Sequence, residues 1–134
     1  MRYAILIALV LGLVVGVIGT VMAMNARNSG PHYPESVMHM QAFHMDALDN
    51  NIKQNHCAVT DNQPHLQTLR ALSNDLEPIF LPTENDADFR QKSSNLRASI
   101  DTVLAAPPSD CPSVSAAMTK IGHECKACHD EFRH

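Results

Sequence analysis

The chain has 134 residues, 45 % of them hydrophobic but only 4 Phe, 2 Tyr and no Trp, with a net charge of −4. All 14 acidic residues lie beyond the first apolar stretch, and from Asn28 onward they face 8 basic residues, a net of −6 with His neutral. A domain this acidic is a poor match for nucleic acid, whose recognition is dominated by cation–phosphate contacts; a basic protein partner is compatible with it. About 100 residues follow the apolar stretch, enough for one small domain that buries roughly two-thirds of its unfolded surface.

The first segment, Tyr3 to Met24, is almost wholly apolar and follows Arg2. Spanning a bilayer as a helix takes about 20 apolar residues, whereas the apolar part of a secretory signal is usually about 7–15. Length therefore predicts an uncleaved transmembrane helix over residues 1–24. Val21-Met22-Ala23 also offers signal-peptidase spacing, which leaves a cleaved signal as the alternative. Both readings export the remainder of the chain. Gly12 and Gly16 form a small-x-x-x-small pair, most simply the ordinary glycine content of a membrane helix.

Residues 25–33 read as a linker, because Asn28-Ser29-Gly30-Pro31 does not continue a helix. Residues 34–134 then carry four helical patterns. The first runs from about Pro34 to His56, with Met38, Met45, Leu48 and Ile52 on one stripe. The second starts near Asn62, with Pro64 suited to a first turn and Leu69, Leu72, Leu76 and Ile79 on its stripe. The third spans about Asp86 to Ala105 through Phe89, Leu96, Ile100 and Val103. A break at Pro107-Pro108-Ser109-Asp110-Cys111-Pro112 precedes the fourth, which carries Val114, Met118, Ile121, Cys125, Cys128 and Phe132. The expected fold is all-α: an antiparallel up-down-up-down four-helix bundle preceded by one N-terminal transmembrane helix.

Cys125-Lys126-Ala127-Cys128-His129 has the spacing of a c-type haem attachment site. Helix positions three and four apart share a face, so both thiols and the imidazole meet one porphyrin edge. The thiols form thioethers with the vinyl groups and His129 becomes an axial iron ligand. A closed zinc site needs four ligands, and no second Cys pair of that spacing exists. A thioredoxin-type motif needs a strand before the helix, and none is predicted.

The thirteen residues Ile121 to Arg133, reading IGHECKACHDEFR, resemble the C-terminus of class II cytochromes c, the cytochrome c′ family. The resemblance implies an antiparallel bundle with one covalent haem c between helices, and Arg133 close to a haem propionate, where a guanidinium forms a forked pair. Some members of that family leave the distal side of the iron open to small gases; others supply a Met from the first helix. Matching Pro34-Glu35-Ser36-Val37 to the family's first-helix start brings Met45 to the distal position, with Met38, Met40 and His44 as alternatives and an open site as a further one. Many members carry Arg-Gln one turn earlier, where this chain has Met40-Gln41-Ala42. His32, His56, His65, His123 and His134 read as solvated.

Cys57 follows the first bundle helix and Cys111 precedes the fourth, so both sit at the same end of an up-down-up-down bundle. In an oxidising exported compartment a disulfide between them is expected, with two buried free thiols as the alternative. The functional expectation is electron transfer by a monohaem cytochrome at the periplasmic side of a bacterial inner membrane, with redox proteins as partners and no enzymatic activity. The alternatives are a gas-binding five-coordinate haem protein and a soluble periplasmic form. Family members often dimerise through their first two helices, so a homodimer is among the expectations.

Overall fold

The structure is a computed structural model that describes residues 2–28 and 32–133. Among the described residues there are helices and no strand: α1 (Arg2–Asn28), α2 (Tyr33–Lys53), α3 (Val59–Leu72), α4 (Leu76–Phe80), α5 (Asp86–Ala105) and α6 (Cys111–Phe132). The chain divides into two compact units, residues 1–32 and 33–134.

The first unit is α1. Leu9, Leu13, Val15 and Met22 are among its exposed side chains. Among the described residues no helix is long and apolar enough to cross a membrane, so the transmembrane span expected over residues 1–24 is not shown. The helix also continues to Asn28, into the expected linker. No Gly or Pro interrupts residues 25–28, and the first such breakers, Gly30 and Pro31, lie outside the described residues together with Ser29 and His134. Among the described residues, a Cβ built on Gly12 or Gly16 meets nothing within 4 Å.

In the second unit α2 packs on α3 and α6, while α5 packs on α6 and α3, which closes a four-helix bundle. Each helix contributes the stripe that its apolar spacing dictates. Leu48 of α2 and Ile121 of α6 are fully buried at 0 % exposure, with Leu66, Leu69, Leu96 and Ile100 around them. Burying each such side chain stabilises the fold by about 1.5–3 kcal/mol.

The helix starts are set by polar side chains. Asn85 Oδ1 accepts from the Asp88 N–H at the head of α5 (3.2 Å). At α6, Asp110 accepts from the backbone N–H of Ser113 at 2.8 Å and from its hydroxyl at 2.9 Å, with Pro112 in the first turn. These bonds hold the Asp110 carboxyl below its usual range. α3 begins before the expected Asn62, because Asp61 Oδ2 accepts the Ala58 N–H (3.1 Å) and Asn62 Nδ2 donates to the Ala58 carbonyl (3.0 Å). Pro64 therefore sits inside the helix rather than in its first turn.

The second bundle helix, expected to be continuous through Ile79, is split. Ser73-Asn74-Asp75 interrupts it, and Leu76 to Phe80 form the separate short helix α4. Ser73 Oγ turns back to the Leu69 carbonyl (2.7 Å), the kind of local bond by which Ser, Asn and Asp compete with helix continuation. Arg97 of α5 fastens the break: its guanidinium donates to the Ser73 carbonyl at 3.3 Å and to Glu77 Oε1 at 2.7 Å. At the end of the bundle formed by the α2–α3 and α5–α6 connections, Cys57 and Cys111 are joined as a disulfide with their Cα atoms 5.1 Å apart.

Candidate haem site

α6 carries Cys125, Cys128 and His129 within little more than one turn, and all three line one cleft of about 780 Å³. That volume lies in the range of cofactor sites, roughly 300–1,000 Å³. Cys125 and Cys128 are free thiols, each half-buried. Burial, and then the neighbouring Cys128, push the Cys125 thiol up. Burial also raises Cys128, against the opposing effect of the Lys92 ammonium. Lys92 belongs to α5 and is held near α6 by Glu131 (3.2 Å) and by Asp88 of its own helix (3.4 Å). Lys126 points away from the cleft and pairs with Asp130 one turn on (2.7 Å).

The wall contributed by α2 includes Met38, Gln41, Ala42 and Met45. The same side of the helix that supplies Leu48 to the core supplies these residues, at steps of three and four. Met45 and Met38 are both half-buried. Met40 is 46 % exposed and does not line the cleft. His44 also lies off the cleft. Its Nδ1 is 2.9 Å from Nδ1 of His65 on α3, and burial followed by that neighbour holds its pKa below the ordinary histidine range. Two sequence expectations change here. His44 is engaged on another face of α2, and His65, expected to be solvated, is its half-buried partner. The two are 21 residues apart, so their pairing depends on the docking of α2 on α3.

Three phenyl rings form the inner end of the cleft. Phe132 meets Phe89 edge-on with centroids 5.2 Å apart, and Phe80 leans on Phe89 at 5.9 Å. Phe80 escaped the sequence reading because it belongs to α4, which only the break at Ser73 re-aims. At the outer edge lie the exposed residues Glu35, His39 and Arg133. Glu35 and His39 approach each other at 3.5 Å. The Arg133 backbone N–H closes α6 on the His129 carbonyl (3.2 Å).

The residues present fit a covalently attached haem. Two thiols and an imidazole share one helical face, apolar side chains face them, and Gly122 opens the α6 wall, where a Cβ would meet nothing within 4 Å. One further observation marks a binding cleft: Gln41 is 8 % exposed, yet its Nε2 has no hydrogen-bond partner. Among the described residues no group of three or more His, Cys, Asp or Glu is disposed to hold a bare metal ion.

The family profile described as Cytochrome C' matches residues 19–133. The chain belongs to the cytochrome c′ family. Membership implies covalently bound haem c. Cytochrome c-556 of Agrobacterium tumefaciens (strain II Chrys) is 46 % identical over 50 residues, which cover 37 % of this chain and 41 % of that protein. Cytochrome c-556 of Agrobacterium fabrum is 40 % identical over 50 residues, covering 37 % and 34 %. The chain thus spans about two fifths or less of the length of these curated relatives. Among solved structures, cytochrome c prime from Alcaligenes xylosoxidans, a ferrous arginine-to-alanine variant with bound NO, superposes with a TM-score of 0.65. It is 26 % identical and covers 76 % of this chain and 91 % of its own. The all-helical fold of this cytochrome c′ family member matches that four-helix bundle.

Proposed function

We propose that the protein is a monohaem electron carrier on the periplasmic side of a bacterial inner membrane. In this reading Cys125 and Cys128 form the thioethers, His129 is one axial ligand and Met45 the other. The observation that carries it is the thioether of Met45 on the α2 wall of the cleft whose α6 wall holds the attachment motif. Haem c, when bound, supplies a one-electron iron couple. The chain's own part is to hold, shield and tune it. A thioether ligand favours the reduced state and raises the potential. Phe80, Phe89 and Phe132 keep water from the inner edge, and Arg133 pairs with a propionate at the outer one.

The apolar run Tyr3–Met24 supports export, either behind a cleaved signal or on an uncleaved anchor. Tyr33, Met40 and Phe43, all exposed on α2, support a homodimer contact on that helix. A second functional reading, gas binding at an open distal site, is favoured by the NO carried by the Alcaligenes cytochrome c prime.

Expression with cytochrome c maturation machinery, followed by intact mass and absorption spectra, decides among these. A mass gain of one haem and a low-spin ferric spectrum with a methionine–iron charge-transfer band is the expected result. A high-spin spectrum that shifts with CO or NO selects the second reading. A protein of unchanged mass without Soret absorption overturns both.

A further inference from the structure

Gln41 is the one buried carboxamide on the cleft wall, and its amide nitrogen donates to nothing in the chain among the described residues. A buried donor without an acceptor costs stability, and native folds rarely keep one. The missing bond therefore forms in the loaded state of the site, either with an atom of the haem or with a side-chain atom that ligation re-aims. The two ends of a carboxamide have the same shape, so a half-turn about its terminal bond presents the N–H to either side of the cleft wall. Two kinds of acceptor come within consideration. The haem carboxylates, if bound, would be held by the exposed cation at the cleft's edge, Arg133. Gln41 is buried instead, and it stands one helical turn before Met45, a spacing that stacks the two side chains on one face.

We propose that the Gln41 amide donates a hydrogen bond to the Met45 sulfur in the haem-loaded protein, which makes Gln41 a tuning residue for the iron couple. The inference rests on the assignment of Met45 as the sixth ligand. A thioether sulfur is a weak acceptor, but the positive end of an N–H dipole beside it, in a site shielded from water, favours the less positive ferrous state. Unlike a ligand, Gln41 sets the potential without touching iron.

The test is a double-mutant cycle on the matured holoprotein, read by spectroelectrochemistry and by the methionine–iron charge-transfer band. Gln41→Leu should shift the reduction equilibrium about tenfold toward the oxidised form, about 59 mV for one electron, and should move the band. Gln41→Ala, which adds no ligating atom, serves as the second variant should Leu pack poorly; haem content and thermal midpoint report folding for both. Met45→Leu is the reference. If it abolishes the band while the Gln41 variants leave band and potential unchanged, Gln41 is not the donor and the Met45 assignment stands. If Gln41→Leu lowers the potential equally in the Met45→Leu background, the amide acts elsewhere, on a propionate for instance, and the proposal is overturned. If Met45→Leu keeps the native band, the ligand assignment falls and this inference with it.

Discussion

Asp110 shows how one side chain ties local structure to solution conditions. Its carboxylate caps α6 through the backbone N–H and hydroxyl of Ser113, and those bonds depress its pKa. A depressed carboxylate contributes stability that is complete above its unfolded pKa of about 4 and is lost as pH falls through the folded value. Asp110→Asn keeps an acceptor that does not titrate. Urea midpoints measured from neutral pH downward should therefore fall less steeply below pH ~4 in the variant than in the parent. Ile121 acts through packing instead: it is fully buried in α6, one turn before Cys125. Ile121→Ala should cost about 2–5 kcal/mol in denaturant unfolding, and should loosen the attachment helix at its inner face. The face on which Met45 lies was legible from helical periodicity alone, since Met45 and Leu48 are three apart. The engagement of His44 by His65 was not, because no local rule relates side chains 21 residues apart.

At the level of elements, α5 agrees with the expected Asp86–Ala105, because proline-containing loops and a polar cap mark its ends in the sequence. The split between α3 and α4 was hidden. Leu69, Leu72, Leu76 and Ile79 keep helical spacing across the break, and periodicity reports a shared buried side even where the backbone turns. Ser73, Asn74 and Asp75 were the available signal, and Arg97 from another helix settles the geometry. Arg97→Ala should leave Glu77 without this partner and destabilise the junction. Hydrogen exchange should then speed up over α4 while the centre of α5 stays protected. The Cys57–Cys111 bridge closes a loop with a sequence separation of 54. Replacing both by Ser should cost about 2–4 kcal/mol, less than the roughly 4 kcal/mol chain-entropy limit if the denatured state is compact. The attachment motif lies at the opposite end of α6 from Cys111, so the haem spectrum of that double variant should be unchanged.

At the scale of the whole molecule, charge governs encounter. The chain from Asn28 onward has a net charge of −6, so in the proposed role electron transfer to a basic partner protein should slow as ionic strength rises and should quicken with an acidic one, whose repulsion salt screens; stopped-flow rates against salt check this. The amino-acid sequence by itself determined that the chain is helical, where the Cys-x-x-Cys-His motif stands and which stripes are apolar, because those properties depend on neighbours three or four positions away. Tertiary structure decided that Met38 and Met45 line the cleft while Met40 does not, that Phe80 joins Phe89 and Phe132 there, and that the Gln41 amide is enclosed without a partner. Those properties arise only when helices distant in sequence are packed together, since burial and partnership are shared by pairs of elements rather than carried by either one.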